Sequence, residues 1–543
     1  MRGFANDGEV LVLIDGVPVN DGYTGGIPTM NIPIDNIKKI EVTKGSGSAL
    51  YGTFAMGGVI NIITNSDSEK ETVLRVGAGS MGTNEEAIST KGNAGNLDYF
   101  INASRSYTKG YAINPAEPQY KNGMEQNLYG GKFIYHVDDK SKITLTADQD
   151  KFNYFYSGNK IDNGTTESKK FSLSYENKFD ERSFLRLNGA YQNYDSDYVS
   201  SVSKKPTVVS TVSETNAKTY MGGIQYNYKL GEKDLLTVGY DYRGEKLDKK
   251  DQKPTYVRGK TETNAFYIQD EHKFNEQLSL FLGGRYDSWK YKDGWCSNQP
   301  DKIDNSSEST FNPKIALVYQ ANDKLTLRTS YGKAFLAPSI YQMAYTWTSS
   351  TGTTYEGNSN LKPEKSKNFE LAADYQVDDS FLIRTGFFYN DVTDKIANKL
   401  IAPKHYKKYN VNSAKIKGFE ISLNKKWNEK WNSFINYTYT DAKDDSTNKQ
   451  LDQVPENVFN LGLNYHQGPW NGSLIGMYAS DPKEDKEGYG NYENYFIANF
   501  KLSYALTDDA SVSISVDNIF DKEYYESYLA EPRTFYMEFT KKF

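Results

Sequence analysis

Side chains that could carry out chemistry are few and scattered in this sequence of 543 residues. Histidine occurs four times, at His136, His272, His405 and His466, and the four positions lie far apart. No serine, threonine or cysteine stands at a readable spacing from a histidine and a carboxylate, as a nucleophile with its general base would. We therefore predict that the chain is not an enzyme.

A glycine-rich segment at residues 45–52, GSGSALYG, is a second feature with chemical potential. Turns of this kind expose backbone N–H groups, which bind phosphate in some folds. Here no Gly-Lys-Ser or Gly-Lys-Thr follows, the spacing is not G-x-G-x-x-G, and the next apolar stretch does not lead into a βαβ unit. The glycines are therefore predicted to permit tight backbone turns in a crowded environment.

Two carboxylates, Asp195 and Asp197 in the segment NYDSDY, offer oxygen ligands for Ca²⁺ at the outer end of a predicted strand. The alternative is an acidic loop whose charges are solvated. Calcium is therefore a candidate ion at these two residues. No cofactor is expected to be required.

Aromatic residues make up 14% of the chain, with 44 tyrosines, 27 phenylalanines and 6 tryptophans. Four of them, Tyr341, Tyr345, Trp347 and Tyr355, fall in one polar stretch that is predicted to be a long loop. Aromatic rings on such a loop can stack on a flat ligand at modest entropic cost. The other interpretation is a belt of rings at a membrane surface.

Composition excludes two classes of protein. Hydrophobic residues are 37% of the chain and no apolar run of helical membrane-spanning length occurs, so a helical membrane protein is excluded. The net charge of -6 provides no basic surface for nucleic acid. The single cysteine, Cys296, cannot form an internal disulfide.

From about residue 71 onward, polar and apolar side chains alternate in short runs, as in strands with two different faces. Phe171, Leu173 and Tyr175, for example, are separated by serines. The run spacing predicts about 22 strands, with short polar turns alternating with long loops, which is typical of bacterial outer-membrane barrels. The long loops are predicted at 199–215, 249–259, 293–310, 336–365, 442–454, 481–491 and 519–533.

The segment 10–64 carries three motifs in a fixed order, IDGVP, IEVTKGSGSALYG and GGVINIIT. Their order and spacing resemble those of the TonB-dependent outer-membrane receptors, and the resemblance covers essentially the whole chain. It implies an all-β membrane protein, a 22-stranded antiparallel transmembrane β-barrel with a partial α+β plug domain in its lumen. Residues 1–66 would be the C-terminal half of the plug and residues 67–543 the barrel with its long extracellular loops. The implied location is the outer membrane of a Gram-negative bacterium.

The start of the chain conflicts with export, because MRGFANDGEV has neither the basic region nor the apolar core of a signal peptide. In the family that the chain resembles, a signal sequence, a TonB-contacting segment and the first half of the plug precede this point. We therefore expect an N-terminal truncation within the plug. Such a chain is expected to bind ligand without coupling to TonB and its inner-membrane motor complex.

The resemblance also implies a contact between the plug and the barrel wall. Lys44 stands where the family usually has an arginine that meets two barrel glutamates, in motifs similar to NFEL at Glu370 and GFEI at Glu420. A cation between two carboxylates could hold the plug against the barrel wall and still allow the plug to separate from the wall when it is pulled. Lysine lacks the two-pronged guanidinium, so a weaker lock is expected, and three ordinary lumen charges are the alternative.

The same resemblance implies a ligand pocket on the outer side. In the family the plug turn at Asn20, Asp21 and Tyr23 faces this pocket, so these three residues are expected to contact ligand. The segments KAFLAPS, from Lys333, and GNSNLKPE, from Gly357, resemble two boxes of the family and flank the aromatic loop. The loop rings are therefore expected at the same pocket.

The implied function is a receptor that binds a scarce metal chelate, an iron–siderophore being favoured, and imports it by TonB-coupled plug movement. Cobalamin is the alternative ligand, and a passive barrel channel is the alternative outside the receptor class. Haem is less favoured because the plug turn and the loop between the boxes lack histidine. It stays an alternative because His405 lies in another predicted loop. Outer-membrane lipid and lipopolysaccharide are expected partners, and the chain is expected to be a monomer.

Overall fold

Alternation of polar and apolar side chains produces strands with two unlike faces along most of this chain. The computed structural model describes residues 1–4, 8–27, 32, 34–66, 69–157, 160–202, 205–251, 255–299, 303–349, 352–451, 453–481, 493–526 and 528–543. No helix within these residues is long and apolar enough to cross a membrane.

The three motifs near the start of the chain form adjacent strands of one small sheet. Its elements are β1 (Val10–Ile14), β2 (Val17–Pro18), a 3-10 helix (Ile34–Asn36), β3 (Ile37–Lys44), α1 (Ser48–Tyr51) and β4 (Gly58–Thr64). The strand order is β2-β1-β4-β3, with β1 parallel to β4 and the other pairs antiparallel. The turn between β1 and β2 is made by Asp15 and Gly16, which both have positive φ. This mixed sheet is the plug.

The remaining strands follow one another along the chain. They are β5 (Glu71–Gly79), β6 (Asn84–Ala94), β7 (Leu97–Tyr111), β8 (Asn122–His136), β9 (Ser141–Tyr156), β10 (Asn163–Lys178), β11 (Ser183–Val202), β12 (Lys205–Leu230), β13 (Asp234–Asp251), β14 (Thr255–Lys273), β15 (Leu278–Cys296), β16 (Ser306–Asn322), β17 (Leu325–Leu336), β18 (Trp347–Thr348), β19 (Thr354–Glu356), β20 (Glu364–Asp378), β21 (Phe381–Ala402), β22 (His405–Lys426), β23 (Trp431–Asp444), β24 (Asn457–Gln467), β25 (Trp470–Ala479), β26 (Tyr495–Thr507), β27 (Ala510–Asp517) and β28 (Thr534–Lys542). Another 3-10 helix (Ser80–Gly82) joins β5 to β6, and α2 (Ile340–Ala344) precedes β18.

Within the described residues, 22 antiparallel strands close into a barrel, which confirms the predicted fold class. β28 pairs with β5, and β17 pairs directly with β20, so that β18, β19 and α2 belong to a loop and not to the wall. α2 packs against inward-facing residues of the wall such as Leu247 and Tyr291. Many outward side chains are apolar: Phe171 and Leu173, for example, have half of their surface exposed, whereas Ser168 on the opposite face of β10 is buried. Hydrocarbon on one side of the wall and the plug on the other account for this contrast.

The connections at one end of the barrel are short turns, several of which are closed by an aspartate or asparagine side chain. Asp138 Oδ1, for example, accepts hydrogen bonds from the backbone N–H groups of Lys140 and Ser141, both at 2.8 Å. At the other end, the predicted loops at 199–215 and 249–259 are wrong, because β11, β12, β13 and β14 continue through most of these segments. Beyond the membrane both strand faces meet water, so the alternation that marks a strand fades while its hydrogen bonds continue. Most of the loop predicted at 481–491 lies outside the described residues.

The plug lies inside the barrel and shares a core with its wall. Plug residues Phe4 and Phe54 pack in one buried cluster with Phe388 of β21 and Ile416 of β22. The last plug strand ends at Thr64 and the first barrel strand begins at Glu71, so the boundary placed between residues 66 and 67 stays a prediction.

Candidate ligand-binding site and plug contacts

The plug turn at residues 20–26 lies at the loop end of the barrel, and side-chain hydrogen bonds hold its shape. The Asn20 side chain is fully buried; its Oδ1 accepts from Val12 N–H at 3.0 Å, and its Nδ2 donates to Val10 O at 3.1 Å and Gly25 O at 3.0 Å. Asn20 is not among the residues that line the pocket described below. Its amide fastens the turn to β1.

Asp21 is also used within the turn. Its Oδ1 accepts from the backbone N–H groups of Tyr23 and Thr24, both at 2.7 Å, and burial raises the pKa of the carboxyl. Of the three turn residues that the family resemblance selects, Tyr23 alone lines the pocket described next, and ligand contact by any of the three stays a prediction. Asn20 and Asp21 position it.

The pocket lies where the plug turn, the loop after β17 and the ends of β11–β13 meet. Its volume is about 290 Å³. Four of the aromatic residues selected from the sequence line it, and the wall adds side chains that the sequence did not single out. The lining residues are Tyr23, Tyr194, Ser196, Tyr198, Thr215, Lys249, Tyr341, Tyr345 and Trp347.

Ring contacts connect the plug to the loop at this pocket. The ring of Tyr23 meets that of Tyr341 edge to face, with centroids 5.6 Å apart, and Tyr341 is 5.2 Å from Tyr345. The Tyr341 N–H also donates to Tyr23 O at 3.3 Å. The loop rings and the plug ring therefore form one continuous aromatic surface.

The charged centre of the pocket is Lys249, an inward-facing residue of β13 that is 4% exposed. Its ammonium lies 3.1 Å from Asp251 Oδ1 and within 6 Å of the ring centres of Tyr23, Tyr198 and Tyr345. Aromatic faces at this distance stabilise a cation that has lost much of its water. The ammonium also donates to the hydroxyls of Ser213 and Thr215, so a ligand in this pocket meets several ring faces and a cation that it shares with Asp251 and these hydroxyls.

Tyr345 contacts Asp251, the carboxylate that pairs with Lys249. Its hydroxyl donates to Asp251 Oδ2 at 2.6 Å, and burial, the hydrogen bond and the neighbouring carboxylate raise the pKa of the phenol. Tyr345 therefore stays protonated at neutral pH and donates to the carboxylate. This fixes one face of the pocket.

Tyr355 lies outside the pocket and supports it. Its ring stacks between Trp347, at 4.8 Å, and Tyr406 of β22, at 5.5 Å. Glu356 of the same short strand accepts from Lys407 Nζ at 2.6 Å and lies 2.9 Å from His405 Nε2. These contacts fasten the loop to β22, so that Trp347 is held at the pocket edge and His405 is engaged by a carboxylate.

The predicted contact between plug and wall contains one cation more than the sequence suggested. Lys44 Nζ lies 3.0 Å from Glu420 Oε2, and Arg2 bridges both glutamates, at 2.8 Å from Glu370 and 3.0 Å from Glu420. The Arg2 side chain is 8% exposed against 46% for Lys44, and its guanidinium lies over the ring of Phe388. Arg2 is therefore the more deeply buried partner, and the role of the cluster as a lock stays a prediction.

The glycine at position 45, directly after Lys44, leaves room for the carboxylate of Glu370. Its φ is +75°, and a Cβ at this position would lie 1.6 Å from Glu370 Oε1. The carboxylate can reach Arg2 because nothing projects from the backbone there.

The two aspartates selected for calcium, Asp195 and Asp197, point away from the lumen near the loop end of β11. Asp195 accepts hydrogen bonds from the amides of Asn193 and Asn216. Among the described residues, the group with metal-ligand spacing is instead Asp234, Asp270 and His272, at the opposite end of the barrel. Calcium at the aspartate pair stays a prediction.

Comparison with known proteins agrees with this architecture. The model of the family "TonB dependent receptor-like, beta-barrel" matches residues 93–519, and that of the "TonB-dependent Receptor Plug Domain" matches residues 1–59. The vitamin B12 transporter BtuB of Photobacterium profundum is 26% identical, with 98% of this chain and 84% of that protein aligned. The iron-regulated outer membrane virulence protein of Vibrio cholerae serotype O1 is 25% identical, over 96% and 82% of the two chains.

A solved structure has the same fold. The siderophore receptor PirA from Acinetobacter baumannii superposes with a TM-score of 0.82 at 20% identity, covering 100% of this chain and 92% of that one. The family match extends over most of the barrel and nearly all of the plug. The chain therefore belongs to the TonB-dependent receptors, and it is an outer-membrane receptor of a Gram-negative bacterium and not an enzyme.

Proposed function

We propose that this receptor binds an iron chelate, an iron–siderophore, in the aromatic pocket above the plug and imports it by TonB-coupled movement of the plug. The observation that carries the proposal is the pocket in which the rings of Tyr23 of the plug, Tyr345 of the loop and Tyr198 of the wall surround the ammonium of Lys249. A ligand seated there would touch the barrel and the plug at once. Ligand binding would therefore act directly on the plug, the domain that moves in the proposed mechanism.

The chemistry of the pocket suits such a chelate. Siderophores hold Fe³⁺ with several oxygen donors, often on flat rings, and many of these complexes carry negative charge. Flat donors can stack on Tyr341 and Trp347, and a negative charge can pair with Lys249. The names of two similar proteins, an iron-regulated outer membrane protein and a siderophore receptor, point in the same direction.

Cobalamin is the second candidate, because a vitamin B12 transporter is 26% identical to this chain over nearly its whole length. Its flat corrin ring could also stack on the loop aromatics. An anionic chelate would need the ammonium of Lys249, whereas the corrin ring of cobalamin would not. Lys249 therefore separates the two ligands experimentally.

Binding to the purified receptor tests the proposal. An anionic ferric catecholate, a ferric hydroxamate and cyanocobalamin are titrated separately, with calorimetry as the readout and native mass spectrometry to count bound ligand. Saturable binding of a ferric chelate with weaker or no binding of cyanocobalamin is expected. Saturable binding of cyanocobalamin alone would replace the proposal with the second candidate.

Import is tested in cells that express the natural gene, with and without TonB. Uptake of radioactive iron from the chelate that binds is expected to depend on TonB. Equal uptake in the two strains would favour a passive channel and contradict the proposed mechanism.

A further inference from the structure

Side chains of the wall already engage the ammonium of Lys249 at the ligand pocket. Its Nζ donates to Ser213 Oγ and, at 3.3 Å, to Thr215 Oγ1, and it lies 3.1 Å from Asp251 Oδ1. An ammonium has three N–H groups, so the two hydroxyls leave one of them. Asp251 and a ligand anion would therefore compete for the same part of this cation.

Strand register isolates this ion pair from other charges. The four residues directly opposite the pair on the neighbouring strands are uncharged, namely Ser213 and Thr215 of β12 and Thr255 and Val257 of β14. In the part of the chain that the structure describes, Lys249 and Asp251 are each other's one ionic partner. The charge of the lysine is therefore neutralised by a single carboxylate.

The ion pair at the pocket lacks a hydrogen bond, unlike two other inward pairs with the same spacing along a strand. Arg243 Nε donates to Glu245 Oε1 at 2.7 Å, and Arg285 Nε donates to Asp287 Oδ1 at 2.9 Å. Asp251 Oδ1 is buried, and no donor among the described residues makes a hydrogen bond to it. The contact at the pocket is therefore ionic only, and a ligand can replace it without breaking a hydrogen bond.

The second oxygen of Asp251 is held by the aromatic loop. The hydroxyl of Tyr345 donates to Oδ2 at 2.6 Å. Asp251 is buried behind the pocket and is not one of the residues that line it. The carboxylate can therefore keep its bond to the loop while its contact with Lys249 is exchanged for a ligand.

Asp251 affects both the charge of Lys249 and its attraction for anions. Burial lowers the pKa of Lys249, whereas the charge of Asp251 raises it. Lys249 is the charged side chain in the pocket lining that the structure describes. Without the carboxylate, this largely buried ammonium would attract any anion of the medium, because charges interact more strongly away from water. The pair thus keeps a charged lysine at the pocket without leaving its charge uncompensated.

We propose that Asp251 is a specificity-determining residue of this receptor: it neutralises Lys249 until an anionic chelate takes over the contact, and it thereby excludes small inorganic anions. This role rests on the proposed function, in which the ligand is an anionic iron chelate. A chelate can replace the carboxylate because it also stacks on the rings of Tyr341 and Trp347. Phosphate or sulfate has no surface to stack, so it gains nothing that offsets the loss of the contact between lysine and aspartate.

Ligand binding by Asp251→Asn, compared with the unchanged receptor, tests this role. Asparagine has nearly the same shape without the charge, and its amide oxygen can still accept from Tyr345. Titration calorimetry with an anionic ferric catecholate is expected to show at least about tenfold tighter binding to the variant, because Lys249 no longer shares its charge with a carboxylate. The affinity for cyanocobalamin, which does not need the ammonium, is expected to change by less than about twofold.

Titration with inorganic phosphate provides a test that needs no iron chelate. At about pH 6 the unchanged receptor is expected not to bind phosphate at millimolar concentration, whereas Asp251→Asn is expected to bind it saturably. The acidic pH keeps Lys249 charged in the variant, in which the carboxylate no longer raises its pKa. The double variant Lys249→Gln with Asp251→Asn is expected to lose the gain for both anions, since it has no ammonium.

Asp248→Asn is the matched control. This aspartate lies on the outward face of the same strand, 2.9 Å from Lys246, and 43% of its side chain is exposed. Its loss is expected to leave the affinities for the chelate, for phosphate and for cyanocobalamin unchanged. Heat-modifiable gel mobility reports whether each variant is folded.

The role of Asp251 is contradicted if folded Asp251→Asn binds the chelate, but no more tightly than the unchanged receptor does, or if it gains no phosphate binding. A gain that persists in the double variant also contradicts it, because Lys249 would then not be the group involved. If no ferric chelate binds to any variant, the proposed ligand is wrong, and the phosphate titration alone decides the role of Asp251.

Discussion

Tyr23 and Tyr341 meet edge to face, with ring centroids 5.6 Å apart, although one belongs to the plug and the other to a loop of the barrel. The contact is part of the pocket wall, and the Asn20 and Asp21 side chains hold Tyr23 in place from behind. A ligand that presses on the loop rings therefore presses on the plug. The pair therefore connects the pocket directly to the plug.

Loss of the Tyr23 ring is expected to weaken ligand binding. In Tyr23→Ala the edge-to-face contact disappears and the ligand loses a ring face, which corresponds to about 1–2 kcal/mol, or about tenfold in affinity. Calorimetric titration with the ferric chelate measures the change. Tyr23→Phe keeps the ring and is expected to bind within about twofold of the unchanged receptor. Equal binding by the Ala variant would remove the plug turn from the site.

Lys249 is expected to decide the preference for a negatively charged ligand. In Lys249→Gln the ammonium is lost from a largely buried position, so the affinity for an anionic ferric catecholate should fall by about tenfold or more, and its dependence on salt should weaken. The affinity for uncharged cyanocobalamin should change little. Lys250→Gln is the matched control, because this neighbouring lysine is exposed on the opposite face of the same strand. A uniform loss for all ligands would indicate a structural role instead.

Lys249 and Lys250 also show where prediction from the sequence ends. Within the membrane, apolar outward residues alternate with lumen residues, and this period reveals the strands and their faces. Beyond the membrane both faces are polar, so two consecutive lysines look alike although one is 4% exposed and the other is exposed. The plug motifs were readable because turns and short strands depend on local residues. Arg2 was not, because it belongs to no motif and its partners Glu370 and Glu420 lie hundreds of residues away; Lys44 was paired with these glutamates only through the family resemblance.

Arg2 is expected to hold the plug more firmly than Lys44 does. Arg2→Ala leaves two mostly buried carboxylates without their shared cation, a change that typically costs about 3–5 kcal/mol. Lys44→Ala removes a half-exposed ion pair, which contributes about 0–1 kcal/mol. Conductance in planar bilayers, recorded at increasing urea concentrations, gives the concentration at which the plug no longer closes the barrel. The unchanged barrel should remain closed longest, and Arg2→Ala should conduct at the lowest urea concentration.

Two results would contradict this ranking. An earlier opening of Lys44→Ala than of Arg2→Ala would make the exposed cation the principal contact. High conductance of the unchanged receptor without urea would mean that the plug does not close the barrel, as expected of a passive channel.

Gly45→Ala is expected to disturb the same contact without removing any charge. The added Cβ would lie 1.6 Å from Glu370 Oε1, so the carboxylate has to move away from Arg2, and the positive φ adds strain of about 1–2 kcal/mol. Gly95→Ala separates the two effects, because Gly95 has a φ of +66° and no atom lies within 4 Å of the added Cβ. Only Gly45→Ala should lower the urea concentration at which the barrel conducts. If the two variants opened alike, backbone strain would be the whole effect, and the space that Gly45 leaves for Glu370 would not matter to the plug.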